Sequence, residues 1–567
     1  MARNERDVQD ELRVLSEDLA CHRIDRARFL QRASALGLSS ALASSALLAY
    51  EGAAAAAAEA APRASRTLVY GPLGDTSNYD TLTNAYDYSS PPFSQIYEGL
   101  TTYVPGKGWH ASNLLATSIE KSKDGRTYRF KLKSGVEFHG GFGELTANDV
   151  KYTFERAAGK QKVYPGAPKS VVSYYGGDMP KLAGVKVTGK YAGEIVFHEP
   201  FAPFDRITLP YATSGMIVSQ KAVAKAGSKF AHTAIGTGPY QVASYTPNQQ
   251  MVLQKFDRYS GLQDKLGAKY AFDEIKFVMT ALNAAPKGQA LTVPLQSGEV
   301  DFTPALSSLD TQRLSSNAGF HVYAAPKPLD YFYLAIDVKN AKLKDVRVRQ
   351  AIAAAIDIDQ VIQANRYPSI TRLNALIAKQ MGIGYWAGAP HPPRDVAKAK
   401  SLLQAAGVSG LSLQLATPSI ANVLGDPNAV MQVIQSNLKD AGITVKIIET
   451  PPDSYVAKAG FGELAWTSFG GAPDPYYQFE WFTCSQIGVW NYASWCNPAY
   501  GKLEDKLGTT SDQAARGRIA IQMQKLMQQA QAFIWMHTGV LYAAGKKNVG
   551  AVFDQNGNPA LQYFKAL

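Results

Sequence analysis

The sequence is short of cysteine, of long apolar runs and of clustered charge, and each shortage excludes something. Three cysteines stand among 567 residues, too few for a disulfide-dense scaffold or a cysteine-rich zinc module. No apolar stretch suits a transmembrane helix; residues 33–50 come nearest and are diluted by Ala and Ser. Lys and Arg outnumber Asp and Glu by 58 to 47, a net charge of +11, yet the longest basic run is Lys546-Lys547. Charge dispersed in this way reads as a solvated surface, not a nucleic-acid or membrane patch. GxSxG, HExxH and P-loop sequences are missing, which removes the common hydrolase and nucleotide-binding signatures. His198-Glu199 lacks a second histidine, and His139 has none at ligand spacing, so no metal and no cofactor is expected. No repeat recurs at 20–50 residues, which argues against a solenoid.

What is present begins at the N-terminus. Residues 1–32 are polar and carry Arg23, Arg26, Arg28 and Arg32; residues 33–50 are weakly apolar; an Ala run at 53–58 and small residues follow to Ser65. Charged, then apolar, then small is the order of an export signal, so 1–65 are read as signal and linker. An amphipathic N-terminal helix is the plainer alternative. Arg26-Ala27-Arg28-Phe29-Leu30 resembles a twin-arginine signal, with Ala27 where the second Arg belongs, so both export routes stay open. Cys21 precedes the apolar stretch and cannot be a lipidated first residue of the mature chain. That leaves Cys484 and Cys496, expected as a disulfide in an oxidising compartment, with two buried free thiols as the alternative.

The rest has ordinary globular composition, 46% hydrophobic and 19% charged, and a length that allows roughly three domains. Thr127–Leu132 alternates polar and apolar strictly, a half-buried strand after the turn at Lys123-Asp124-Gly125. Thr146 and Asp149 predict a capped helix start. Val346–Ile362 reads as one helix with Ala and Ile at helical spacing. Tyr331–Asp337 reads as a strand with aromatics. Leu411–Leu415, a helix over 427–441 and Thr444–Ile448 follow in βαβ order, which implies a parallel pair.

Five stretches in order resemble the dipeptide/oligopeptide-type substrate-binding proteins of ABC importers. They are Tyr97-Glu98-Gly99-Leu100; Leu115 to Gly140, with Ile119, Lys133 and Gly140 replacing the family's Trp, Arg and Asp; Thr146–Val150; Gly236-Thr237-Gly238-Pro239-Tyr240; and Asp345 to Asp357. Residues 66–567 are covered. The resemblance implies an α/β, periplasmic-binding-protein type II-like fold, with two hinged lobes and the extra subdomain of the large peptide-binding class. Lobe I would comprise 66–96, 234–323 and 531–567, the extra subdomain 97–233, and lobe II 324–530. It implies a monomeric periplasmic protein, not an enzyme, that encloses a peptide or peptide-like solute between the lobes and delivers it to an ABC permease, with no nucleic-acid partner.

The resemblance also points to ligand-cleft candidates: Tyr331 and Tyr333 at the first crossing between lobes, and Trp466, Phe469, Gly471, Asp474, Trp490 and Asn491 further on. Gly471 stands where peptide-binding members carry an Asp that pairs with the ligand's amino group, so an oligosaccharide or opine-like solute is the alternative on the same scaffold. Trp466, Phe469, Trp481, Trp490, Tyr492 and Trp495 suit stacking on sugar rings or apolar side chains, and equally suit core packing. A secreted hydrolase working through paired carboxylates is the different-class alternative.

Overall fold

The protein is described from a computed structural model. It describes residues 66–72, 75, 78–82, 90–166, 179, 181–279, 292–304, 306, 308–365, 370–418, 427–450 and 463–567, with 15, 28 and 31–33 from the N-terminal region. Arg66–Leu567 forms one compact unit. The export-signal reading and Cys21 lie outside the described residues.

A ten-stranded sheet organises the main unit. Its strands are β1 (Thr67–Tyr70), β2 (Tyr240–Thr246), β3 (Gln250–Lys255), β4 (Glu274–Val278), β5 (Phe302–Thr303), β6 (Phe320–Ile336), β7 (Ser412–Pro418), β8 (Thr444–Thr450), β9 (Leu464–Phe469) and β10 (Phe533–Lys546). Their order is β8-β7-β9-β6-β10-β5-β1-β4-β3-β2. β7 runs parallel to β8, as the βαβ order predicts, and also to β9, while β6 pairs antiparallel with β9 and β10. β6 and β10, of 17 and 14 residues, are long enough to serve two sets of hydrophobic cores. Phe533 to Met536 pack with one set, and Tyr542 to Ala544 with another.

Period-2 alternation sorts side chains between the faces at the β6 end of the sheet. Tyr331, Tyr333 and Ala335 enter one core, under α4 (Pro475–Phe479), α5 (Pro498–Thr509) and α6 (Gln513–Ala530). Phe332, Leu334 and Ile336 enter another, under α1 (Val346–Ala355), α2 (Val396–Ala405) and α3 (Pro427–Asp440). The predicted helix at 346–362 is two helices. α1 ends at Ala355, and Asp357 caps a second, Ile358–Ala364, by accepting from the amides of Asp359 and Gln360. An Asx cap competes with helix continuation and starts a new one.

Residues 100–217 build a core of their own, with Leu82 and Leu262 as the buried members from outside that range. Four antiparallel strands, Ala116–Lys121, Thr127–Leu132, Ala192–Phe197 and Leu182–Gly189, lie side by side there. Thr127–Leu132 shows the alternating burial its sequence predicts. The neighbouring helix Ala147–Ala157 carries the expected cap, a full Thr146/Asp149 capping box. Gly236 and Gly238 bring the chain against the helix Ser90–Ile96: an added Cβ would lie 2.0 Å from Ile96 O and 2.3 Å from Gln95 O.

Candidate functional site

The crossing strand β6 is irregular where it passes between the two sets of cores. Its pairing with β10 shifts register between Lys327 and Tyr331, and again between Phe332 and Tyr333. Such irregularities bend a strand and loosen its ladder locally. A polar node sits at this point. Asp330 Oδ1 accepts from Gly471 N at 3.1 Å and Asn556 Nδ2 at 2.9 Å, while Lys327 Nζ lies 2.8 Å from Oδ2. Leu329 N donates to Asn556 Oδ1. The adjacent Gln555 holds a turn 450 residues upstream, donating from Nε2 to Val104 O and Gly108 O at 2.6 Å each. That turn leads to Trp109, which packs between Tyr103 (5.2 Å) and Tyr211 (6.3 Å) and against the core under α4–α6.

The chain from β9 to α4 meets this node. Gly471 approaches the backbone of Leu329 so closely that a Cβ would stand 1.9 Å from Leu329 O. Both of its peptide groups are engaged, the amide by Asp330 and the carbonyl by Tyr211 Oη at 3.1 Å. The position has no space for a side chain of any kind. Asp474 caps α4 through Tyr476 N, with Pro475 in the first turn, the favoured arrangement for a helix start. Its carboxylate is fully buried, and Arg516 of α6 grips both oxygens at 2.6 Å. Arg206 adds a second cation at 3.6 Å and donates twice to Pro473 O. Asp474 is therefore committed to holding the loop, Arg206 and α6 together.

Of the aromatic candidates, Phe469, Trp481 and Trp490 are partly exposed and form a shelf. Phe469 stacks on Trp481 (6.0 Å, 8°) and Tyr492 (6.0 Å, 21°) and meets Trp490 edge-on at 6.0 Å. Tyr331 and Tyr333 lie beneath it, fully buried, at 5.9 and 6.4 Å from the Phe469 ring. Burial pushes the Tyr331 hydroxyl well above the usual phenol range, with the charges of Glu480 and Asp330 adding to the effect. Trp466 is set apart from this group. It is an odd number of residues from Phe469 on the same strand, so it points to the opposite face and packs with Phe332 and His537.

Trp490 and Asn491 sit on a loop closed by the Cys484–Cys496 disulfide. Asn491 is buried and works inside that loop, its Nδ2 donating to the carbonyls of Phe482, Thr483 and Trp495. It thus braces the shelf from below. Among the described residues, no three His, Cys, Asp or Glu side chains cluster as a metal site would require, and no helix is long and apolar enough to cross a membrane.

The position of the shelf follows from connectivity. β7 and β9 are parallel neighbours. The helix after β7, α3, packs on one face of the sheet, and the helix after β9, α4, packs on the other. Their carboxyl ends therefore diverge into a crevice at a topological switch point, where open α/β sheets bind ligands. Phe469 is the last residue of β9 and stands at its mouth. Sequence reasoning missed Asp330, Arg206, Tyr211, Asn556 and Arg516, because each acts on a segment 42 to 267 residues away. The Asp474-Pro475 pair was the available signal for the cap.

Compared with known proteins, residues 110–489 match the bacterial extracellular solute-binding proteins, family 5. The chain is 29% identical over 521 residues to the dipeptide-binding protein of Escherichia coli (strain K12), covering 87% of this chain and 93% of that one. Among solved structures, it resembles a dipeptide binding protein from Pseudoalteromonas sp. SM9913 in complex with Met-Leu. The TM-score is 0.77 at 20% identity, over 88% of this chain and 100% of the other. It also resembles MoaA from A. tumefaciens R10 in complex with mannopinic acid, with a TM-score of 0.73 at 22% identity, over 89% and 100% of the two chains. The architecture is the type II periplasmic-binding-protein fold of the family 5 class.

Proposed function

This chain belongs to the bacterial extracellular solute-binding proteins, family 5, and from that premise we propose that it captures a peptide or peptide-like small solute and hands it unchanged to an ABC permease in the membrane. The solute enters the crevice at the carboxyl ends of β7 and β9. One wall is the shelf of Phe469, Trp481 and Trp490; the other carries Tyr103, Trp109 and Tyr211. Lobe I is drawn from 66–96, 234–323 and 531–567, the extra subdomain from 97–233, and lobe II from 324–530; the first residues of β10, Phe533 to Met536, pack into the cores beneath lobe II. Closure bends the chain where β6 loses register, between Lys327 and Tyr333. Hinged closure of this kind is driven by a solute that binds the closed form better than the open one. The exported protein works in the periplasm as a monomer and performs no covalent step.

The observation that carries this reading is a partly exposed aromatic shelf at a topological switch point beside an irregular crossing strand. An opine-like solute is the second reading. Gly471, with a Cβ position 1.9 Å from Leu329 O, leaves no room there for a carboxylate to meet a free amino terminus. The test is a thermal-shift screen of purified protein against dipeptides, N-acetylated dipeptides and opines. A ligand at 100 times its Kd should stabilise the fold by about 2.7 kcal/mol, and be recovered intact. A consumed ligand would point to the hydrolase alternative instead.

A further inference from the structure

With the lobes drawn as above, one short segment of the extra subdomain reaches across to lobe II. Residues 201–211 wind in consecutive turns, closed by Ile207 N to Pro203 O, Leu209 N to Phe204 O and Tyr211 N to Ile207 O. Phe201, Phe204 and Leu209 root the segment in the core of residues 100–217. From that base it makes four contacts with lobe II. Ala202 N donates to Gly508 O at 2.7 Å, and Phe201 meets Tyr476 edge-on at 5.5 Å. Arg206 places Nε and Nη2 on Pro473 O at 3.0 and 2.8 Å, and Tyr211 Oη donates to Gly471 O at 3.1 Å. The segment is also tied to the crevice wall. Tyr103 Oη donates to Arg206 O at 2.8 Å, and Tyr211 is itself a ring of that wall, 6.3 Å from Trp109. The acceptors on lobe II are peptide carbonyls, which water can serve once the segment lifts away. Asp474 keeps both of its bonds to Arg516 from its own lobe, so withdrawing Arg206 from 3.6 Å strands no buried charge. Contacts of this kind can break and re-form.

We propose that Arg206 and Tyr211 are positioning residues for capture: they clasp the 471–473 loop when the lobes close, and so set how long the solute stays. The Arg206 guanidinium and the Tyr211 hydroxyl act on the closed form through lobe II, while the Tyr211 ring remains part of the wall. A solute resting against Tyr103 and Tyr211 steadies the two side chains that hold the segment in place, Tyr103 through Arg206 O and Tyr211 through Gly471 O. That supplies a preference for the closed form, which closure requires of any solute that drives it. The inference rests on the hinged-capture reading and adds to it the residues that hold the lobes shut.

The test compares solute release with stability in the absence of solute. Wild type, Arg206→Gln, Arg206→Lys and Tyr211→Phe are mixed by stopped flow with Met-Leu, a dipeptide library, N-acetylated dipeptides and opines, followed by tryptophan fluorescence, and the unliganded proteins are melted in parallel. The inference predicts that Arg206→Gln binds the preferred solute about 10-fold more weakly and Tyr211→Phe about 2- to 12-fold. The change falls on the release rate, with association little altered. Arg206→Lys lies between wild type and Arg206→Gln, because an ammonium keeps the charge but not the paired donors. Unliganded melting temperatures stay at the wild-type value, since the clasp belongs to the closed form. Should Arg206→Gln fail to fold, Tyr211→Phe, which removes one oxygen and keeps the ring, carries the same comparison. Lower unliganded melting temperatures with an unchanged release rate would mark the contacts as permanent, overturning the inference and leaving the capture reading standing. Wild type that binds none of these solutes would overturn that reading, and this inference with it.

Discussion

Replacing Asp474 by Asn separates two roles for that carboxylate, structural pillar and ligand contact. In the fold both oxygens face Arg516, whose side chain is 2% exposed. Asn keeps the shape and the cap on Tyr476 N, so the ~1 kcal/mol of the cap is retained. What it removes is the charge that neutralises a buried guanidinium. Breaking such a pair from one side costs about 3–5 kcal/mol. Arg516→Met should fall toward the lower end of that range, because Arg206 at 3.6 Å and the Tyr476 amide still serve the stranded carboxylate. The double variant should cost less than the sum, with a coupling of about 0.5–3 kcal/mol. Guanidinium denaturation followed by tryptophan fluorescence reads all four proteins, provided the m-values agree. Either single variant within about 0.5 kcal/mol of wild type, or strict additivity, would refute the reasoning. A ligand-contact carboxylate would give the reverse pattern, with lost affinity and unchanged stability without ligand.

Gly471→Ala puts a methyl 1.9 Å from Leu329 O, so it should destabilise by about 1–3 kcal/mol or more and weaken solute binding, read by melting and titration; a neutral result would mean the close approach is not real. Glu98 is buried, which pushes its carboxyl up to about 7 from an ordinary 4.5 against hydrogen bonds from Gln263, Tyr259 and Thr237. A carboxyl raised in the fold is penalised once ionised, so wild-type stability relative to Glu98→Gln should fall as pH rises from about 4.5 to about 7 and level off above; a difference independent of pH would contradict this. The disulfide joins exposed residues 12 apart, so reducing it with a dithiol should lower the denaturation midpoint of the shelf region by the equivalent of ~3 kcal/mol at most, seen in Trp490 emission. Phe469→Ala and Trp481→Ala should each weaken solute binding by roughly 2- to 12-fold, the equivalent of about 0.5–1.5 kcal/mol of ring contact, in the same titrations.

Local order was legible in the sequence where one physical rule acted alone. Thr127–Leu132 and the βαβ run from β7 to β8 follow from period and capping. The 346–362 helix was misread because Asp357, a cap signal, was outweighed by the apolar period around it. The full length of β6 was hidden by Pro326 and by its changing surroundings, exposed at Ala324 and buried from Leu329 on. The resemblance puts Trp466 and Phe469 forward together, although three residues along a strand means opposite faces. Asp330, Arg206 and Asn556 left no local trace, since their roles arise only when distant segments meet.

The central claim is that two lobes close over a solute and release it unaltered. Small-angle X-ray scattering on the purified protein, without solute and with a saturating hit from the thermal-shift screen, tests it most directly when the bound compound is afterwards released and weighed by mass spectrometry. The account predicts a smaller radius of gyration with solute and a recovered mass identical to that added. An unchanged radius at saturation, or a recovered mass that differs, would contradict it.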